Sequence, residues 1–145
     1  MKTEASCERI LLVDDHPLIR SGLRQLLSEH DGFAVCGEAG TLCDARRLYD
    51  ELGPDLIVLD LAMPDGDGLA FLEETRGWAA PPQVLVLTIQ EADGPAAIEA
   101  MRIGAAGFLC KRSAPEDVLD AVRRVCSGAT YLSGELIERL VRRRN

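Results

Sequence analysis

Five polar residues fall where short apolar runs stop. Asp14-Asp15 follow Ile10-Leu11-Leu12-Val13, and Asp60 follows Leu56-Ile57-Val58-Leu59. Thr88 follows Val84 to Leu87, and Lys111 follows Phe108-Leu109-Cys110. Three carboxylates brought within a few ångströms repel one another, and they stay ionised together only if positive charge compensates. A hard divalent cation does this. Mg²⁺ takes oxygen ligands, keeps some waters, and is held by a few carboxylates together with a phosphate. In such a pocket Asp60 can act as a nucleophile and form an aspartyl-phosphate. Lys111 and the Thr88 hydroxyl would then contact phosphoryl oxygens and balance the developing charge. That chemistry rests on positioning and electrostatics and requires no histidine or cysteine. Taken singly, each residue has a plainer reading: an acid at a strand end caps a turn, a lysine is a surface charge, and threonine is common in strands. Their joint placement favours a shared site.

Five apolar runs, counting the more mixed Phe33 to Ala39, alternate with segments of helical spacing. Ile19, Leu23, Leu26 and Leu27 form one helical stripe, and Val118, Leu119, Val122, Val125 and Cys126 form another. Five strand–helix alternations predict βαβ units and an α/β fold with helices on both faces of a parallel sheet. The continuous apolar runs suit central strands, and the second run, with Gly37 and Glu38, suits an edge. In an open parallel sheet the carboxyl ends of all strands share one rim, where ligands bind at the switch in strand order. With the order 2-1-3-4-5, the first and third strands are neighbours at that point. Ser113-Ala114-Pro115-Glu116 reads as a capping box, Thr41 with Asp44 as a weaker one, and Gly53, Gly104 and Gly128 as helix ends.

The 145 residues suffice for one domain, with residues 1–8 expected to form a disordered arm. The formal net charge of -8 argues against nucleic-acid binding by this segment, because phosphate recognition requires a basic face. Cys7, Cys36, Cys43, Cys110 and Cys126 are odd in number and never spaced C-x-x-C, which predicts a reduced, cytoplasmic setting. No apolar run approaches the ~18 residues of a membrane span. Beyond Gly128, Ser133 is placed to cap a last helix, with Leu132 stapled onto Ile137 and with Leu136, Leu140 and Val141 facing inward. Arg142-Arg143-Arg144 reads as a solvated helix end.

At these residues the chain resembles the receiver domain of a bacterial two-component response regulator, over residues 9 to 128. The resemblance is carried by Asp14-Asp15, by Asp60 with Met63-Pro64 and Gly68 downstream, by Thr88, and by Gly104-Ala-Ala-Gly107-Phe108-Leu109-Cys110-Lys111. It implies a flavodoxin-like, doubly wound five-stranded sheet, and a phosphoryl group passed to Asp60 from a sensor histidine kinase. It implies a Mg²⁺ ion ligated by Asp15, Asp60 and the main-chain carbonyl of Ala62, with Asp14 acting mostly through water. Thr88 and Phe108 would form the switch, with Phe108 where tyrosine is commoner. Asp14-Asp15-His16-Pro17 and Gly128-Ala-Thr-Tyr131-Leu132-Ser133 are similar to the NarL/FixJ subfamily, whose output is a LuxR-type helix-turn-helix. In that subfamily a linker helix, here within residues 129–145, leads to the DNA-binding module. The chain stops at Asn145, so the expectation is a truncated regulator, with a stand-alone single-domain receiver as the alternative. Homodimers would form through the first and fifth helices, or through the face of the fourth helix, fifth strand and fifth helix.

Several residues admit other uses. His16 reads as a loop residue starting the first helix, ahead of a metal ligand or phosphate relay. Trp78 reads as loop packing, Cys110 as core, and Gln90 as a residue that tunes phosphate lifetime. A Mg²⁺-dependent phosphohydrolase is the rival enzyme class, but such enzymes place a D-x-D pair, nucleophile included, after the first strand. A flavodoxin-type cofactor protein would need a Ser/Thr/Gly-rich loop where Asp14-Asp15 stand. A signalling switch therefore ranks above an enzyme.

Overall fold

The computed structural model describes residues 9–30, 32–89, 94–132, 136–138 and 141–142. Its elements are β1 (Arg9–Val13), α1 (Pro17–Ser28), β2 (Ala34–Ala39), α2 (Leu42–Leu52) and β3 (Leu56–Leu59). A two-rung hairpin, β4 (Ala62–Met63) and β5 (Gly66–Asp67), precedes α3 (Gly68–Arg76). Then follow β6 (Gln83–Thr88), α4 (Pro95–Ile103), β7 (Gly107–Cys110) and α5 (Pro115–Cys126). The main sheet has the order β2-β1-β3-β6-β7 and is parallel throughout. With the hairpin set aside, this is the expected 2-1-3-4-5 order of a doubly wound fold. β1 and β3 are neighbours at the switch point, in the register Val13 opposite Leu59.

Strand side chains alternate between two cores, as the period of two requires. Ile10, Leu12, Val58, Leu85 and Leu87 pack with Leu23 and Leu27 of α1 and with Val118, Val122 and Val125 of α5. Leu11, Val13, Ile57, Leu59 and Val86 pack with Ala45 of α2, Phe71 and Leu72 of α3, and Ile98 of α4. β2 lies at one edge and is only half-buried for most of its length, in agreement with its mixed composition. At the other edge Tyr131 forms a parallel bridge to Gly107, and its N–H donates to the Ala106 carbonyl at 2.9 Å.

Local signals hold in part. Thr41 caps α2 by accepting from the Asp44 N–H at 3.0 Å. Gly53 ends that helix in the left-handed region, at φ 57, where glycine has no steric penalty. The capping box at Ser113 is not formed. Ala114 is the N-cap of α5 and makes no side-chain cap, while Pro115 pre-sets the first turn. Acidic Glu116 and Asp117 suit that end of the helix dipole. Cys110 is half-buried, not core, because it sits at the strand end. Beyond α5, residues 136–138 and 141–142 are helical. Leu136 is fully buried, as expected, but Val141 is 53% exposed and points outward, and Ile137 is 46% exposed. Arg142, exposed beside Glu138 at 3.8 Å, fits a solvated end. The arm over 1–8, Gln90, Ser133, Leu140, Arg143 and Arg144 lie outside the described residues. Trp78 packs on Tyr49 and Phe71 near the carboxyl ends of α2 and α3. Helices in this fold run back against the strands, so that end lies on the rim opposite Asp60.

Candidate functional site

Ladder hydrogen bonds carry the rigidity of the sheet one residue past each strand. The Asp14 N–H donates to the Ala39 carbonyl at 3.0 Å, the Asp60 N–H to Val13 at 2.9 Å, and the Lys111 N–H to Thr88 at 2.7 Å. Four chain segments are thereby pinned at one rim, which is how a fold fixes reactive side chains with little freedom.

The side chains converge. The Lys111 ammonium donates to Asp14 Oδ2 at 2.7 Å and to Asp60 Oδ2 at 3.0 Å. Asp14 and Asp60 are almost fully buried, and Lys111 exposes 8% of its side chain. Burial alone would lower the Lys111 pKa, but its hydrogen bonds and charge attraction to Asp14 and Asp60 outweigh that and hold it above the ordinary lysine value. Asp60 Oδ1 accepts the Ala62 N–H at 3.2 Å, which orients the carboxylate. Asp15 is about a third exposed, and its Oδ1 is buried with no hydrogen bond. One ligand atom each from Asp14, Asp15, His16 and Asp60 lies within 4.8 Å of the others. Thr88 is fully buried with an unpartnered hydroxyl, and Phe108 is fully buried in the α2–α3–α4 core. The structure thus brings Asp14, Asp15, Asp60 and Lys111 into one pocket, with Ala62 in the adjoining hairpin and Thr88 at the end of the next strand.

Sequence reasoning missed several supports. Arg20 donates to the Asp14 carbonyl at 2.5 Å and to Glu38 at 3.2 Å, tying α1 to the first strand end and to β2. Asp65 accepts the Leu42 and Cys43 N–H groups at 2.8 and 3.0 Å, so the loop after β3 caps α2. Asp67 caps α3 through the Leu69 N–H at 3.0 Å. Gly68 lies against Leu61: a Cβ there would overlap the Leu61 Cα and sit 2.8 Å from its carbonyl oxygen. The run Pro64-Asp-Gly-Asp-Gly68 carried this signal, since it concentrates the residues that turn and cap. His16 was placed correctly as the residue starting α1, but its ring also reaches the acids, with Nδ1 2.8 Å from Asp14 Oδ1.

A flavodoxin-like sheet with buried carboxylates and a lysine at its switch point defines a class of protein: receiver modules that carry an acidic pocket able to hold a metal ion. The comparisons agree. The response regulator receiver domain family matches residues 10–123, and the chain belongs to that family. It is 36% identical over 134 residues to the response regulator UvrY of Escherichia coli, covering 90% of this chain and 60% of that protein. To the nitrate/nitrite response regulator protein NarL of E. coli it is 37% identical over 127 residues, covering 88% and 58%. Its fold is similar to a two-component response regulator of the LuxR family from Aurantimonas sp., with TM-score 0.86, 33% identity, and coverage of 96% and 99%. The chain spans about 60% of the length of the curated relatives it matches. Among the described residues no helix is long and apolar enough to cross a membrane.

Proposed function

We propose that this chain is the phosphoacceptor module of a two-component system, in which Asp60 receives a phosphoryl group from the histidine of a sensor kinase. One observation carries the reading: a nearly buried ammonium, Lys111, bridges two buried carboxylates from different strands at the switch point. A purely structural pair would need one acid; here the second acid, and Asp15 beside it, leave the pocket with surplus negative charge.

The residues fit a divalent cation. Three carboxylates supply hard oxygen donors, and Asp15 Oδ1 is a buried acceptor without a hydrogen bond. Asp14, Asp15, Asp60 and the main-chain carbonyl of Ala62 would hold Mg²⁺, which when bound supplies Lewis-acid neutralisation of the phosphoryl oxygens. An Asp60 carboxylate oxygen attacks phosphorus, and the new O–P bond forms as the P–N bond to the kinase histidine breaks. The electron pair leaves with the imidazole nitrogen. Lys111 stays within reach of Asp60 and stabilises the anionic oxygens that gather there. Thr88, buried with an unsatisfied hydroxyl, gains a partner by turning toward the phosphoryl group, and Phe108 repacks with it. This is a population shift between two packed arrangements.

In this reading residues 9–128 are the receiver, residues 1–8 an arm, and residues 129–145 the linker toward a helix-turn-helix output domain in the whole protein. The module is a cytoplasmic signalling switch rather than a metabolic enzyme, with at most weak self-phosphorylation and autodephosphorylation. It dimerises on phosphorylation, and DNA is bound through the output domain, since this segment carries a charge of -8. The test is intact-mass measurement after incubation with acetyl phosphate. Wild type gains one phosphoryl group in Mg²⁺ and none in chelator, and Asp60→Asn gains none. Labelling of Asp60→Asn as strong as that of wild type would refute the assignment.

A further inference from the structure

We propose that His16 is a ligand of the metal pocket, and that it converts an all-oxygen magnesium site into one that binds first-row transition ions more tightly. The inference rests on the reading of the pocket as a metal site given above. It concerns which ion is chosen and which side chain chooses it.

His16 is the N-cap of α1, with extended backbone. Its N–H donates to Asp14 Oδ1 at 2.8 Å, which locks the turn at the mouth of the pocket. The ring makes no cap bond to the helix. It turns instead toward the acids. Nδ1 stands 2.8 Å from Asp14 Oδ1, 3.1 Å from Asp15 Oδ1 and 3.9 Å from Asp60 Oδ2. A six-coordinate ion with bonds near ~2.1 Å sets adjacent ligands ~3.0 Å apart and opposite ligands ~4.2 Å apart. The three distances, 2.8 to 3.9 Å, lie close to that range, so the nitrogen stands near where a fourth ligand would sit.

Nδ1 either donates to Asp14 Oδ1 or accepts from Lys111 Nζ at 3.2 Å, according to tautomer, and Lys111 keeps its two carboxylates in both cases. The ring is therefore not needed to satisfy the lysine, and a cation among the three acids could take the Nδ1 lone pair together with Asp15 Oδ1, which has no hydrogen bond.

The donor type sets the preference. Mg²⁺ favours oxygen and water, whereas imidazole raises affinity for Mn²⁺, Co²⁺ and Ni²⁺ in rising order. The second histidine, His30, lies near Arg123 of α5, so a nitrogen signal from it is separable by substitution.

The test uses wild type, His16→Ala and His16→Gln, with His16 being 55% exposed and therefore replaceable without opening the core. Pulsed electron paramagnetic resonance of bound Mn²⁺ reads nitrogen coupling directly, and calorimetry compares Ni²⁺ with Mg²⁺. Wild type shows ¹⁴N modulation that both variants lose. Ni²⁺ binding weakens by about tenfold or more in His16→Ala, the scale on which removing a metal-site partner acts, while Mg²⁺ binding stays within about twofold. Bound Mn²⁺ without nitrogen coupling, or equal weakening of Ni²⁺ and Mg²⁺, overturns the role of His16. If His16→Ala still takes beryllofluoride at Asp60 with Mg²⁺, the pocket reading survives that failure. If wild type binds none of these ions, both fall.

Discussion

Replacing Lys111 by methionine removes the ammonium and keeps the length of the chain that carries it. Two carboxylates, 2% and 3% exposed, then face each other and Asp15 with no protein cation between them. At an effective dielectric of 20, each contact near 3 Å is worth roughly 5 kcal/mol of gross attraction, before the cost of burying the ammonium. The cost of burying the lysine offsets most of this, and acids left behind relax by protonation or hydration. Breaking a buried pair by removing one partner typically costs about 3–5 kcal/mol, and we expect the lower end, about 3 kcal/mol, for Lys111→Met in chelator. Adding Asp60→Asn to Lys111→Met should recover about half of that, because one of the stranded charges is gone. The pH dependence has a definite sign. The Lys111 pKa is raised in the folded state, so its contribution is fully present below the ordinary lysine value and is lost as pH rises through the higher folded value. The difference between wild type and Lys111→Met should therefore be level from neutral pH up to the ordinary lysine range and shrink beyond it. Urea unfolding of the two single variants and the double variant gives the cycle. A loss under about 1 kcal/mol for Lys111→Met, or strict additivity with Asp60→Asn, would show that the ammonium does not hold the acids together.

Two further substitutions probe the loop that aims Asp60. Gly68→Ala drives a methyl group into the backbone of Leu61, one residue past Asp60, and should cost about 1–3 kcal/mol in thermal or urea unfolding; a neutral result would mean that the loop has room the structure does not show. The Asp65 carboxyl is held below the usual aspartate range by the N–H groups of Leu42 and Cys43, so its contribution is present above the ordinary aspartate value and disappears as pH falls through the lower folded value. Asp65→Ala should lower the urea midpoint at neutral pH and converge on wild type in acid, and a midpoint difference unchanged in acid would remove the cap from the argument.

The rim was legible because its signal is one-dimensional. A strand buried on both faces must be apolar along its length, so the first polar residue marks its end, and Asp14, Asp60, Thr88 and Lys111 each stand there. The 2-1-3-4-5 strand order came with the resemblance to the receiver fold, since neighbour and handedness rules alone leave several orders open. What sequence could not give were contacts set by side-chain direction or by loops folding back. The Ser113 cap failed because α5 begins at Pro115 with Ala114 as its N-cap, which leaves Ser113 one residue outside the capping position. Asp65 caps a helix 23 residues earlier in the chain, a pairing that no local window contains. His16 was read as the start of α1, and so it is; that its ring turns back to the acids depends on one rotation about a side chain. Val141 shows the same limit. The helical spacing that puts Leu136 inside gives Val141 an inward phase only if the core reaches that far, and Val141 is 53% exposed.

The tail also shows how a change at the rim could travel. Leu136 and Phe108 belong to one buried cluster, and Tyr131 packs in the other, so the chain after α5 crosses the β7 edge between them. The crossing is tight. A Cβ on Gly107 would meet the Tyr131 Cβ and carbonyl oxygen at 3.1 Å each, and Leu85 at 2.9 Å. Gly107 immediately precedes Phe108, so the residue proposed to repack and the residue that seats the tail are chain neighbours on one four-residue strand. Close-packed interiors do not absorb such shifts as oil would; they pass them to the next contact. Phe108 shares its buried cluster with Leu136 and follows Gly107 of the Tyr131 bridge, so the repacking proposed for Phe108 would occur beside the segment proposed to lead out of the receiver. If Phe108 switches as proposed, coupling to the tail needs no long relay, because Phe108 and Leu136 already share a core.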